Sequence, residues 1–181
     1  MTLCLKKTVV MVGMMGAGKT AIGRAVAEHL KVPFLDSDEE IVRAAQMEIP
    51  EIFARDGEGF FRDRETEVIA RLLEDGPCIL STGGGAFMSQ RNRDLITQKG
   101  VSVWLRADLE LLWSRVRHKD TRPLLRTSDP KKTLNDLHQE RSPIYENADL
   151  VVDSHDDYSI PDMSERVIYE LKTRPDVIEN K

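Results

Sequence analysis

Gly13-Met14-Met15-Gly16-Ala17-Gly18-Lys19-Thr20 is the stretch on which the fold turns. It fits G-x-x-x-x-G-K-[ST] at every specified position, a match that chance produces in roughly one chain in a hundred of this length, given Gly at about 7% of residues. Its surroundings sharpen the reading. Upstream, Thr8-Val9-Val10-Met11-Val12 is a short apolar run suited to a buried strand. Downstream, Lys19–Leu30 sets Ala21, Ile22, Ala25, Val26 and Leu30 at helical spacing. A strand, a glycine-rich turn and a helix in that order form a phosphate cradle. The glycines let backbone N–H groups approach phosphate oxygens, and the helix turns its unpaired donors and positive end on the same anion. Lys19 is placed to neutralise the β- and γ-phosphates of a nucleotide, and the Thr20 hydroxyl to ligate Mg²⁺. The nucleotide-binding candidates are therefore Gly13, Met14, Met15, Gly16, Ala17, Gly18, Lys19 and Thr20. A glycine-rich turn with an exposed lysine is the plainer alternative, and the flanking strand and helix disfavour it.

Outward from this motif, apolar runs alternate with amphipathic segments, the pattern of a parallel sheet covered by helices. Strand candidates are Thr8–Val12, Pro33–Leu35, Cys78–Ser81, Val101–Leu105 and Asp149–Val152. Helical spacing marks Glu58–Glu74, a segment capped by Asp108, Lys131–Arg141 and Asp162–Thr173, with Gly76-Pro77 ending the first of these. His118–Pro130 is polar, charged and punctuated by proline, and reads as a mobile loop inside the domain. The tail after Pro175 is expected to fray.

With 181 residues, at about 100–200 per domain, one domain is expected. A hydrophobic fraction of 40% and a charged fraction of 31% describe a soluble globular chain. The 26 Lys and Arg against 31 Asp and Glu leave a net charge of -5, which disfavours a nucleic-acid binder and requires any anionic ligand to be met by a local cationic cluster. Cys4 and Cys78 are too few for a disulfide framework or a four-cysteine zinc site, and both sit in apolar runs as expected of buried thiols. No stretch approaches the roughly 20 apolar residues that span a bilayer, so the expected location is the cytoplasm. The four His show no metal-ligand spacing, and Trp104 and Trp113 occupy core-patterned positions.

Four further groups decide among the many uses of a nucleotide cradle. Asp36-Ser37-Asp38 follows the second strand. If the chain stays extended there, both carboxylates face the crevice at the C-terminal sheet edge, one holding Mg²⁺ through water and one orienting an acceptor hydroxyl. An N-cap before a helix at Glu39–Ala45 is the alternative. Arg62 and Glu65 stand three apart on one helix, so Glu65 can hold a guanidinium that grips a ligand carboxylate, or the pair is an ordinary surface ion pair. Thr82-Gly83-Gly84-Gly85 follows the third strand, where three glycines allow close backbone approach or simply a tight turn. Arg122-Pro123-Leu124-Leu125-Arg126 lies in the loop, where an arginine closing over a transferring phosphoryl group excludes water and stabilises charge. Arg141, four residues before Tyr145, is a second carboxylate-binding candidate or a surface charge.

In this order, from about Val9 to Val152, the set resembles the shikimate kinases. The resemblance implies a three-layer P-loop fold like that of nucleoside monophosphate kinases: five parallel strands in order 2-3-1-4-5, flanked by helices, with a mobile lid at 118–130 in a single domain 1–181. It implies ATP-dependent phosphorylation of the 3-hydroxyl of shikimate on the route to chorismate and aromatic amino acids. Lys19, Asp38 and Arg122 become the catalytic residues, with Asp38 the candidate base. Asp36 supports Mg²⁺ through water beside Thr20; Arg62, Arg141 and the backbone of Gly83, Gly84 and Gly85 bind shikimate along with Asp38. Arg122 reaches the ATP phosphates, and Arg115, placed by spacing, packs on adenine. The second adenine-contacting stretch, Asp153–Pro161, has no residue-by-residue match. The expected partners are shikimate and ATP, with no nucleic acid and no membrane, and the expected state is a monomer.

Another P-loop small-molecule kinase, acting on gluconate or a nucleoside monophosphate, is the alternative. A guanine-nucleotide switch lacks its N-K-x-D motif here, and a silent regulatory domain conflicts with the complete set of lysine, aspartate and arginine.

Overall fold

A computed structural model describes residues 2–118 and 125–181. Arg122, and with it 119–124 of the expected lid, lies outside the described residues. In chain order the elements are β1 (Leu3–Leu5), β2 (Thr8–Val12), α1 (Lys19–Leu30), β3 (Phe34–Asp36), α2 (Ser37–Ala45), α3 (Ile49–Glu74), β4 (Ile79–Ser81), a 3₁₀ turn (Ala86–Met88), α4 (Gln90–Lys99), β5 (Gly100–Arg106), α5 (Leu109–Val116), α6 (Pro130–Tyr145), β6 (Leu150–Asp153), α7 (Ile160–Leu171) and β7 (Ile178–Asn180).

Five strands form one parallel sheet in the order β3-β4-β2-β5-β6, flanked by helices. Numbered among themselves along the chain, these strands run 2-3-1-4-5, the order that the resemblance implies. Central β2 is buried at every residue, as a strand covered on both faces requires. Its C-terminal end delivers the chain into the glycine loop. Met11 pairs with Ser81 of β4 on one side and Val103 of β5 on the other, so the loop opens at the centre of the sheet's C-terminal edge.

The two chain ends depart from expectation. β1 and β7 pair antiparallel, Leu3 opposite Asn180 and Leu5 opposite Ile178. The tail after Pro175 is therefore not frayed. Val177 and Ile178 are buried in the core, and Lys6 Nζ donates to the Pro175 carbonyl while pairing with Glu179 at 3.1 Å. Cys78 is buried as expected, but Cys4 faces outward from this ribbon's middle and is only half-buried.

Helix α3 begins at Ile49, nine residues before the periodicity predicts, because Gly57 (φ 84, ψ 170) breaks one long helix into two. The residues before the break carry Ile49, Pro50 and Phe53, and those after it carry Phe61, Arg62 and Glu65. The mixed apolar pattern around Gly57 and Gly59 hides the first half from a periodicity reading. Trp104 is buried and Trp113 half-buried against the core. At the far end of the expected lid, Leu125 is seated in the core and Asp129 caps α6, its side chain accepting from the Lys132 N–H.

Candidate active site

The glycine loop and α1 build an anion site from main chain. Gly16 and Gly18 adopt φ +83 and +93, a conformation that L side chains rarely take. Gly18 is also the N-cap of α1 and gives it no side-chain cap, and the first turn carries no acidic residue. Five other helices are capped by a side chain, Asp36, Ser89, Asp108, Asp129 and Ser159. The first-turn donors of α1 are thus left for an anion. Lys19 Nζ donates to the carbonyls of Gly13 and Met14, at 2.7 and 3.1 Å, so the ammonium is held at the loop's mouth.

One cavity of about 1080 Å³ lies against this loop, at the upper end of the range for a small-molecule site. Met15, Gly16, Gly18, Lys19 and Thr20 line it. Gly13, Met14 and Ala17 do not; they are buried behind the loop, where Ala17 N–H bonds the Met14 carbonyl at 3.1 Å.

Asp36 and Asp38 both line the cavity, though not by the expected route. The chain is no longer extended after Asp36, because α2 starts at Ser37. Asp36 is its N-cap, its Oδ1 accepting from the N–H of Asp38 at 2.9 Å and of Glu39 at 3.2 Å. Asp38 enters the site from the first turn of the helix. Burial, then the charge of Asp36, raises its pKa above the usual carboxylate value; Lys19 and Arg62 pull it down.

Arg62 reaches the cavity from α3, held by Glu65 Oε1 at 2.8 Å. Glu65 is 1% exposed, so this is not a surface ion pair. Burial raises the Glu65 pKa, and the Arg62 charge and hydrogen bond oppose it.

The three glycines after β4 and Thr82 receive these heads. A Cβ on Gly83 would lie 2.9 Å from Asp38 Oδ1, one on Gly84 2.7 Å from Arg141 Nη1, and one on Gly85 2.6 Å from Arg62 Nη2. None of the three has a left-handed φ. The glycines are a bare shelf on which one carboxylate and two guanidinium groups lie side by side. The turn is pinned from below, where Asn92 Nδ2 donates to the Ala86 carbonyl at 2.9 Å and Tyr145 Oη to the Gly84 carbonyl at 2.7 Å.

On the loop side, Arg115 Nη1 donates to the Gly16 carbonyl at 3.0 Å, and burial lowers its pKa. The same cavity is lined by Tyr158, Ser159, Ile160 and Met163 from the start of α7, inside and just beyond the stretch that had no match by sequence. No motif marks them; only the fold brings them back to the glycine loop.

The cavity therefore offers two unlike ends: a main-chain anion cradle with a lysine, and a shelf holding two arginines beside an aspartate. This is a place for a phosphate donor and a small carboxylate-bearing acceptor. The comparisons agree. A sequence profile for shikimate kinase matches residues 15–172. The shikimate kinase of Ruegeria pomeroyi is 67% identical over 175 residues, 97% of this chain and 90% of that one. That of Cereibacter sphaeroides is 63% identical over 97% of this chain and 87% of its own length. A solved structure, the shikimate kinase of Acinetobacter baumannii in complex with shikimate, superposes with a TM-score of 0.85 at 37% identity, covering 93% of this chain and 94% of that one. With the cradle, the shelf and these likenesses pointing the same way, the chain belongs to the shikimate kinase family.

Proposed function

We infer that the chain phosphorylates shikimate at the expense of ATP, the activity of its family, and we propose how its residues divide that work. The observation that carries the reading is the convergence of Asp38, Arg62 and Arg141 over Gly83–Gly85 in the cavity that Lys19 also lines.

The ATP phosphates lie on the N–H groups of Gly16, Gly18 and the first turn of α1, with Lys19 neutralising them. Adenine lies between Arg115 and the Tyr158–Ile160 stretch. Arg62 and Arg141 hold the shikimate carboxylate, each guanidinium matching its planar geometry, and the Gly83–Gly85 backbone lies beneath it. Asp38 orients the 3-hydroxyl. The oxygen of that hydroxyl forms a bond to the γ-phosphorus as the bond from that phosphorus to the β,γ-bridging oxygen breaks; ADP leaves, and Asp38 takes the hydroxyl proton. A pKa raised by burial suits that task, bringing the base nearer working pH. Arg122, outside the described residues, keeps the role that the resemblance implies, charge stabilisation at the ATP phosphates.

The donor set fits a hard divalent cation. The Thr20 hydroxyl and the Asp36 carboxylate both line the cavity and are the kind of oxygen donor that Mg²⁺ prefers. Thr20, and Asp36 by way of water, would hold the ion, which would supply charge neutralisation on the phosphates. A cytoplasmic location and a monomeric state are carried as part of this reading; among the described residues no helix is long and apolar enough to cross a membrane.

The deciding experiment measures ADP release from Mg-ATP with shikimate, gluconate, AMP and CMP as acceptors. Release that depends on shikimate and disappears in Lys19→Ala is the expected result. Release driven by gluconate or a nucleotide instead overturns the roles of Asp38, Arg62 and Arg141.

A further inference from the structure

Tyr145 ends α6 fully buried. Its ring lies against Trp104 at 5.8 Å between centroids and against Phe87 at 6.2 Å. A phenylalanine fills such a stack equally well, and a hydroxyl carried into it costs free energy unless it finds a partner. The partner is the Gly84 carbonyl, at 2.7 Å. Arg141 comes from the preceding turn of the same helix, and its Nη1 lies 2.7 Å from the point where a Cβ on Gly84 would stand; Tyr145 Oη is 3.9 Å from that point. Gly84 is thus fixed through its carbonyl by one residue of α6 while the guanidinium of another lies over it. Burial pushes the phenol up to about 12 against the opposing charge of Arg141 and a hydrogen bond that the phenol oxygen accepts from its guanidinium, so the hydroxyl remains a neutral donor to Gly84 through the working pH range while it touches Arg141 directly.

We propose that Tyr145 is a positioning residue for acceptor binding: its hydroxyl fixes the Gly84 carbonyl, and so the shelf that places the Arg141 guanidinium, without itself touching the acceptor. The proposal rests on the reading of Arg141 as a carboxylate anchor. It separates Tyr145 from an ordinary satisfied core tyrosine, whose loss lowers stability and leaves the two substrates equally affected. It also explains the spacing of Arg141 and Tyr145. Four residues put both on one helical face, with the anchor one turn before the strut that levels the surface beneath it.

The test is Tyr145→Phe in the full chain, which keeps the ring in its stack. Initial rates are measured with shikimate and Mg-ATP varied in turn, alone and in combination with Arg141→Ala. Net loss of one hydrogen bond, about 1–1.5 kcal/mol, predicts a shikimate KM raised about five- to tenfold. KM for ATP and kcat stay within about twofold. In the Arg141→Ala background, Tyr145→Phe adds no further rise, since the two act through one contact. A shikimate KM unchanged in Tyr145→Phe but raised in Arg141→Ala overturns the proposal and leaves the anchor standing. So does strict additivity, or a fall in kcat with both KM values shifted together. An unchanged shikimate KM in Arg141→Ala removes the anchor reading itself, and the proposal with it.

Discussion

Two glycine runs border the same cavity, both with little room for a side chain, and their backbones divide them. In the loop before α1, Gly16 and Gly18 stand at φ +83 and +93, so a side chain there is strained by its own backbone. In the turn after β4, Gly85 has an ordinary φ of -90. What excludes a side chain from that turn is space already taken: Asp38 over Gly83, Arg141 over Gly84, Arg62 over Gly85. In the proposed reading the first run exposes main chain to the phosphoryl donor, and the second makes way for side chains that reach the acceptor. The donor is then met mainly by backbone, which carries no individuality, and the acceptor by side chains, which do.

The largest effect that sharpens this division is expected at Lys19, whose ammonium is held at the mouth of the loop. Lys19→Ala lowers kcat about 10³-fold, the scale of losing a preorganised charge-stabilising donor. A rate within tenfold of the unaltered protein breaks the assignment of the loop. Next comes Arg62→Ala, which removes a charge-assisted bond worth about 1.5–3 kcal/mol and so weakens shikimate about 10- to 100-fold, with ATP affinity retained. Titration calorimetry with each substrate reads both, and equal loss for the two substrates erases the distinction between the halves.

The paired variants Gly18→Ala and Gly85→Ala test the comparison itself. Gly18→Ala costs about 1–2 kcal/mol of folding stability through its left-handed backbone, seen as a lower denaturation midpoint, and weakens ATP. Gly85→Ala is compatible with its backbone; it acts instead by pushing the Arg62 guanidinium aside, raising the shikimate KM and leaving ATP binding unaltered. If the two patterns exchange, the division is wrong. The smallest effect is on pH dependence. Protonated Asp38 cannot accept the hydroxyl proton, so kcat/KM falls as pH drops through a pKa above the usual 3.8. Asp36→Asn keeps the cap and removes the neighbouring negative charge, so it moves that acid limb downward; an upward move contradicts the electrostatics described for Asp38.

Legibility in the sequence followed the range of the interaction. The glycine loop, the strands of the parallel sheet and the Arg62–Glu65 pair are written in local spacing and were readable from it. Asp36 and Asp38 were read as site residues on a wrong geometry, because a capping aspartate and an extended one look alike until the helix is seen to start at Ser37. The β1–β7 ribbon joins residues at opposite ends of the chain, each strand only three residues long, and neither has a signal of its own. Tyr158, Ser159 and Ile160 reach the cavity only because α7 folds back beside the glycine loop. The reason for three glycines in a row was also hidden: it lies in three side chains from α2, α3 and α6.

That terminal ribbon sets residues 2 and 181 side by side. Thr2 and Lys181 bond to each other in both directions, N–H to carbonyl at 3.3 and 2.8 Å. A tension applied at the two ends opens the ribbon one residue pair at a time, as a zipper does, before any of it reaches β2 and the loop that follows. Opened in that order, the ribbon yields in small steps and the sheet on which the glycine loop is mounted is reached last.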